Sequence, residues 1–285
     1  SDLVDIKILS QRLKTETQWG VSNRIAKSLG KIGGDLARDG LLKAVNNGEA
    51  KIRVGIIQAL GGFLGDEKVA RVLKKISGGD PSYKVEAEAL ASLGRIKAKE
   101  CRPFLESFLG RRSHNDTGRS AIFRALASLE DEEGWSTLLE GADYGAPRGS
   151  RFSAVQGLAK LAGRFEHLKP EAINALKRFA RETRGTPSAT FRGKLAAIHA
   201  MGALEELSAV PTLRKLAEGE TDGRLIRRAE ETIARLFESA KKPQEMKAMR
   251  GDLDDMMKEN KSLRDRVDLM EMKNTVKQTS KKKKG

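Results

Sequence analysis

The chain has a single cysteine, Cys101, in 285 residues. No intrachain disulfide can brace it, and one thiol fits a reducing compartment. Aromatic residues make up only 5%, so Ala, Leu, Ile and Gly must supply most of the core. Small side chains at close spacing suit helix-on-helix packing better than a large sheet sandwich, and few runs alternate with the period of a strand. No apolar run approaches the ~18 residues of a membrane span, and no secretory signal opens the chain. These absences point to a cytoplasmic protein with no membrane partner. The first residue is Ser rather than Met, as in a piece of a longer polypeptide.

Catalytic patterns are missing too. No His-Glu-x-x-His occurs, nor any other pair at zinc spacing. His114, His167 and His199 are scattered. His199, between Ile198 and Ala200, is expected as a packed core residue, and His114 sits in a loop where Ser113 and Asp116 read as helix caps. Asp131-Glu132-Glu133 opens a helix, where the macrodipole favours acids. There is no phosphate-cradling loop, and Gly33-Gly34 and Gly61-Gly62 read as helix ends.

What the chain does have is a recurring stretch. Ile52 to Gly62 reads Ile-Arg-Val-Gly-Ile-Ile-Gln-Ala-Leu-Gly-Gly, with apolar residues at helical spacing, an early Arg and a closing Leu-Gly. Variants end at Leu29, Leu60, Leu93, Leu129, Leu161, Met201 and Leu236, separated by 31, 33, 36, 32, 40 and 35 residues. A period in the thirties with two helices per unit is the mark of a helical solenoid. The prediction is an all-α, HEAT-like α-solenoid of about six to seven helix pairs over residues 1–240. The Leu-Gly glycines are expected as left-handed helix caps, as are Gly78-Gly79 before Asp80-Pro81. A cation recurs early in the second helix of successive units, at Arg53, Lys84, Arg119, Arg151, Arg192 and Arg227. Such a ridge either ties neighbouring units together or faces a partner.

Past Ala240 the apolar period shortens to 3.5. Met246, Met249, Leu253, Met256, Asn260, Leu263, Val267 and Met270 fall at alternating steps of three and four, which is a heptad seam. Residues 241–274 are therefore expected as a coiled-coil helix that can form a homodimer, followed by a disordered Lys-rich tail over 275–285. The net charge of +15 is unevenly spread: 14 Lys and Arg oppose 8 Asp and Glu from Lys241 on, leaving 40 against 31 before it.

One series of motifs is more specific than a generic repeat. Trp19-Gly20-Val21 leads into Ile25-Ala26-Lys27-Ser28-Leu29-Gly30, followed by Ala59-Leu60-Gly61-Gly62-Phe63 and Asp80-Pro81-Ser82-Tyr83-Lys84-Val85-Glu86-Ala87-Glu88-Ala89. Ser113-His114-Asn115-Asp116 and Tyr144-Gly145-Ala146-Pro147 come next. The series resembles the C-terminal HEAT-like domain of prokaryotic zinc aminopeptidases of the aminopeptidase N family, over about residues 10 to 240. The resemblance implies an accessory domain that closes over a catalytic domain in cis and shapes its peptide cavity. That family's Gly-x-Met-Glu-Asn and His-Glu-x-x-His motifs are absent here, so no catalytic or metal residue and no cofactor is expected in this chain, and zinc only in a catalytic domain outside it. HEAT-type hydroxylases carry repeated His-Glu pairs for iron, and none occurs here. Two alternatives stand beside the accessory domain: a scaffold holding a protein on its concave face, and a nucleic-acid cradle. Glu86, Glu88, Glu230 and Glu231 share helices with the cation ridge and stacking aromatics are scarce, which weighs against nucleic acid.

Overall fold

The structure, a computed structural model, describes residues 2–98, 100–182, 187–241, 251, 253–264 and 267. Seven helix pairs follow one another: α1 (Asp2–Thr15) with α2 (Trp19–Ile32), α3 (Gly34–Ala44) with α4 (Ala50–Leu60), α5 (Glu67–Gly79) with α6 (Tyr83–Ile96), and α7 (Cys101–Ser107) with α8 (Thr117–Leu129). Then come α9 (Trp135–Ala142) with α10 (Arg148–Arg164), α11 (Lys169–Ala180) with α12 (Pro187–Ala203), and α13 (Val210–Glu218) with α14 (Gly223–Lys241). No strand occurs among the described residues. The fold is an all-α HEAT-like solenoid.

Local chemistry sets each element. In α5 the buried Val69, Ala70, Leu73 and Ile76 share one face, at the spacing of an amphipathic helix. Asp66 caps its start, accepting from the Val69 amide at 3.0 Å. The end differs from the sequence expectation. Gly78 and Gly79 stay helical, and the chain turns extended only at Asp80 (φ −78°, ψ 137°). The ring of Pro81 pushes the residue before it out of the helical region, so proline rather than glycine ends α5.

The Leu-Gly glycines need a larger correction. Gly30 and Gly94 lie inside α2 and α6, and Gly61 has φ −61°, so none is a left-handed cap. Each marks a close approach to the next second helix. A Cβ on Gly94 would overlap the Ala125 backbone of α8, and one on Gly30 would sit 3.1 Å from Ala59 Cβ of α4. On Gly61 it would lie 2.7 Å from Arg95 Nε, and on Gly202 it would lie 2.9 Å from Thr232 Cγ2 of α14. At Gly30, Gly94 and Gly202 the neighbouring helix occupies the space of a side chain, whereas at Gly61 the neighbour is the movable end of Arg95.

These approaches bind the second helices into a continuous stack running α2, α4, α6, α8, α10, α12, α14. First helices touch each other far more sparsely beyond the α1–α3 pair. The second helices therefore form the closely packed layer of the solenoid and the first helices the looser one. One contiguous apolar cluster runs between the layers from Ile6 to Leu236. A further helix spans 253–264, and every described residue of it is exposed. Met246, Met249 and Met270 of the heptad seam lie outside the described residues, as does the segment 275–285.

Candidate binding surface

The early cations of the second helices differ in what they bond. Arg53 lies four residues into α4 and forks onto the carboxylate of Asp80 in the α5–α6 loop, with Nε and Nη2 each 2.9 Å from an oxygen. Its Nη1 donates to the Gly48 carbonyl at 2.7 Å in its own unit. Arg151, four residues into α10, repeats this: it donates to the Ala142 carbonyl and meets Glu182 beyond α11 at 2.8 Å. It also stacks over Phe179, 4.8 Å from the ring centre. Arg119 is one residue earlier in α8 and stays local, on the Leu109 carbonyl and Asp116. Lys84, Arg192 and Arg227 are exposed. Lys84 and Arg192 make no ion pair among the described residues, and Arg227 only a 3.5 Å contact with Glu231 on its own helix.

Two ties at these junctions were not read from the sequence. In α12 the bond to the next loop is made by Lys194, to Glu220, rather than by Arg192. In α6 the fourth residue is an acid, Glu86, and its partner Arg111 lies in the α7–α8 loop at 3.7 Å. The tie is the same with its charges exchanged. Burial raises the Glu86 pKa, Arg111 opposes the rise and Asp80 adds to it. Counting from each helix start, rather than looking for Arg, was the signal that would have found it.

A second set of ties joins the layer of first helices. Arg38 of α3 donates to Asp66 at 3.0 Å, and Arg102 of α7 to Asp131 at 2.7 Å and also to Glu133. Lys169 of α11 donates to Glu206 at 3.0 Å. Burial disfavours the Lys169 charge, but its bonds to Glu166 and Glu206 outweigh that and raise its pKa.

The layer of second helices is chemically different. A groove of ≈ 560 Å³ crosses the second helices α4, α6, α8 and α10. Its charged lining is Arg95, Arg124 and Lys160 against one acid, Glu88. Glu88 is already engaged by Arg95 at 2.6 Å and by Gln58 at 3.4 Å. Lys160 donates to Ser128 Oγ at 2.9 Å, and Ser128 donates on to the Arg124 carbonyl. Arg124 is exposed and has no acidic partner among the described residues. Desolvation in the groove lowers the Lys160 pKa; Glu130 opposes this, while Lys97 and Arg95 add to it. A cation held among cations favours an arriving anion.

His199 departs from its expected core position. It is exposed, and desolvation lowers its pKa, with the charges of Arg228 and Arg235 on α14 adding to the shift. Its neighbours Ile198 and Ala200 take the core positions instead. Cys101 is free and buried, and burial pushes its thiol pKa up. Among the described residues no group of three His, Cys, Asp or Glu is placed to hold a metal. No described helix is long and apolar enough to cross a membrane.

Residues 77–159 match the family model of HEAT repeats. Two solved structures align with most of this chain. The complex of CpcE and CpcF of phycocyanin lyase from Nostoc sp. PCC7120 aligns with a TM-score of 0.50 at 18% identity, covering 81% of this chain and 94% of that one. Human deoxyhypusine hydroxylase in complex with glycerol aligns with a TM-score of 0.41 at 15% identity, covering 82% and 96%. No curated protein sequence matches significantly. The matched segment contains α6 and α8, the helices that carry Glu88, Arg95 and Arg124, and ends one residue before Lys160 of α10.

Proposed function

We propose that the chain is a non-catalytic HEAT scaffold that holds an acidic segment of a partner protein along this groove. The observation that carries this reading is the set Arg95, Arg124 and Lys160 facing one already engaged acid. Elsewhere, Arg38, Arg53, Arg102 and Arg151 are tied into the solenoid by carboxylates. The groove lining includes no aromatic side chain, so bases would find no stacking platform there, and a carboxylate-bearing peptide suits it better than a nucleic acid.

The resemblance to the aminopeptidase N accessory domain gives the partner a particular form, a zinc-peptidase catalytic domain in the same polypeptide. The HEAT match supports the repeat class in that resemblance and not the peptidase. The protein-scaffold reading therefore leads.

Fluorescence anisotropy with a labelled Glu-rich peptide tests it, with a Lys-rich peptide and a single-stranded oligonucleotide as competitors. The acidic peptide is expected to bind, to weaken with added salt, and to lose at least ~tenfold in affinity in R124E/K160E, a loss of about 1.4 kcal/mol. Absence of binding at low salt, equal binding by the variant, or displacement by the oligonucleotide at lower concentration than by unlabelled peptide would each overturn the reading.

A further inference from the structure

The helix 253–264 leaves its apolar side in water. Leu253, Met256, Leu263 and Val267 are 58%, 60%, 51% and 50% exposed. Together with Asn260 they occupy alternating a and d positions, and only one such stripe exists on the helix. A twelve-residue helix alone in water is marginal. Its stability must come from something that covers that stripe.

We propose that the cover is a second copy of this chain, paired as a parallel two-stranded coiled coil in register at Asn260. Three features identify the occupant. Asn260 stands at an a position, where the amide of one strand meets its own counterpart across a parallel dimer, and any other register buries it against an apolar side chain. Glu259 and Arg264 stand at g and e. Residues five apart do not face each other on one helix, but g and the following e of the partner do in a parallel pair. The same spacing of opposite charges recurs at Glu245 with Arg250 and at Arg266 with Glu271. The Glu259 and Arg264 charges are therefore placed for a copy of the same helix running in the same direction.

The competing cover is the chain's own solenoid. Burial disfavours the Glu130 carboxylate, but Lys97, Arg164 and Lys258 together lower its pKa, so the field of this helix reaches the end of α8. Fold-back would satisfy the stripe without a second chain, and it gives the g and e charges no reason to alternate.

Dimerisation does not depend on the peptide reading of the groove; if both hold, one particle carries two grooves. Sedimentation equilibrium of the full chain tests it. The expected mass is twice 31.2 kDa, falling toward the monomer on dilution. E259R and R264E are each expected to weaken the dimer about tenfold, since two attractive contacts become repulsive. An equimolar mixture of the two should recover it, because arginines on one strand then face glutamates on the other. Both are exposed positions, so folding is unaffected. A chain that stays monomeric, a dimer indifferent to both substitutions, or a mixture no tighter than either variant alone overturns the proposal.

Discussion

Gly94 has the Ala125 backbone where its side chain would be. Replacing it with alanine forces α6 and α8 apart, and the expected cost is ~1–3 kcal/mol in chemical denaturation. Gly79 supplies the contrast: it is helical, with nothing within 4 Å of a Cβ. Gly79→Ala should therefore raise stability by about 0.5–1 kcal/mol, because alanine costs less backbone entropy in a helix. If both substitutions destabilise alike, the close approach is not what holds glycine at position 94. The Arg53–Asp80 fork is a second residue-scale test. Its side chains are only 15% and 10% exposed, and a double-mutant cycle of Arg53→Ala and Asp80→Ala should give a coupling of ~0.5–3 kcal/mol. Sequence shows that glycine recurs after leucine, but not whether a backbone angle or a neighbour demands it. The neighbour lies about thirty residues on and becomes visible only when the helices are stacked.

At the scale of the element, α7 is the shortest of the first helices. It has seven residues and starts beside Glu100 in the left-handed region at φ 56°. Cys101 is buried at its first position, and burial raises its thiol pKa. Thiol labelling of the native protein should therefore be slow and should accelerate in low denaturant well before global unfolding, as α7 opens locally. Labelling at the rate of a free thiol would contradict this. In the layer of second helices, desolvation with Arg228 and Arg235 holds the His199 pKa below its usual 6.5. The sign follows from linkage: as pH falls below 6.5 the unfolded chain binds this proton before the folded one does, so the His199 contribution to stability is lost. An NMR titration should show the low midpoint, and R228Q should raise it partway, since desolvation remains. Helix positions were legible because prolines and loop residues punctuate a 3.6-residue pattern. The side of a helix on which a lone histidine falls was not, since flanking apolar residues mark the face next to it as readily as its own.

For the whole molecule, units contact their neighbours and little else, so stability is close to a sum of local terms and interfaces. Weakening the first interface should leave the rest standing. Gly30→Val forces α2 off Ala59 of α4, and is expected to lower the first unfolding midpoint by circular dichroism while acidic-peptide affinity stays unchanged, because α2 contributes nothing to the groove lining. Equal loss of both would mean that the array unfolds as one body. The repeat class was legible from the spacing of the Leu-Gly marks. The groove was not, because Arg124 is eighth in α8 while Arg95 and Lys160 are thirteenth in α6 and α10, and the three come together only once the helices are set side by side.

The exchanged tie at Glu86 and Arg111 has a consequence for how the array is addressed. At the α4, α10 and α12 junctions the helix offers a cation and the next loop an acid; at the α6 junction the helix offers the acid. An array with every joint alike could be re-spliced in any order. Here, moving the pair α5–α6 ahead of the unit containing Glu182 would set two carboxylates against each other, and moving α3–α4 ahead of Arg111 would set two guanidinium groups together. One joint of opposite polarity thus gives the repeats a reading order, and shuffled chimeras should fail first at that seam.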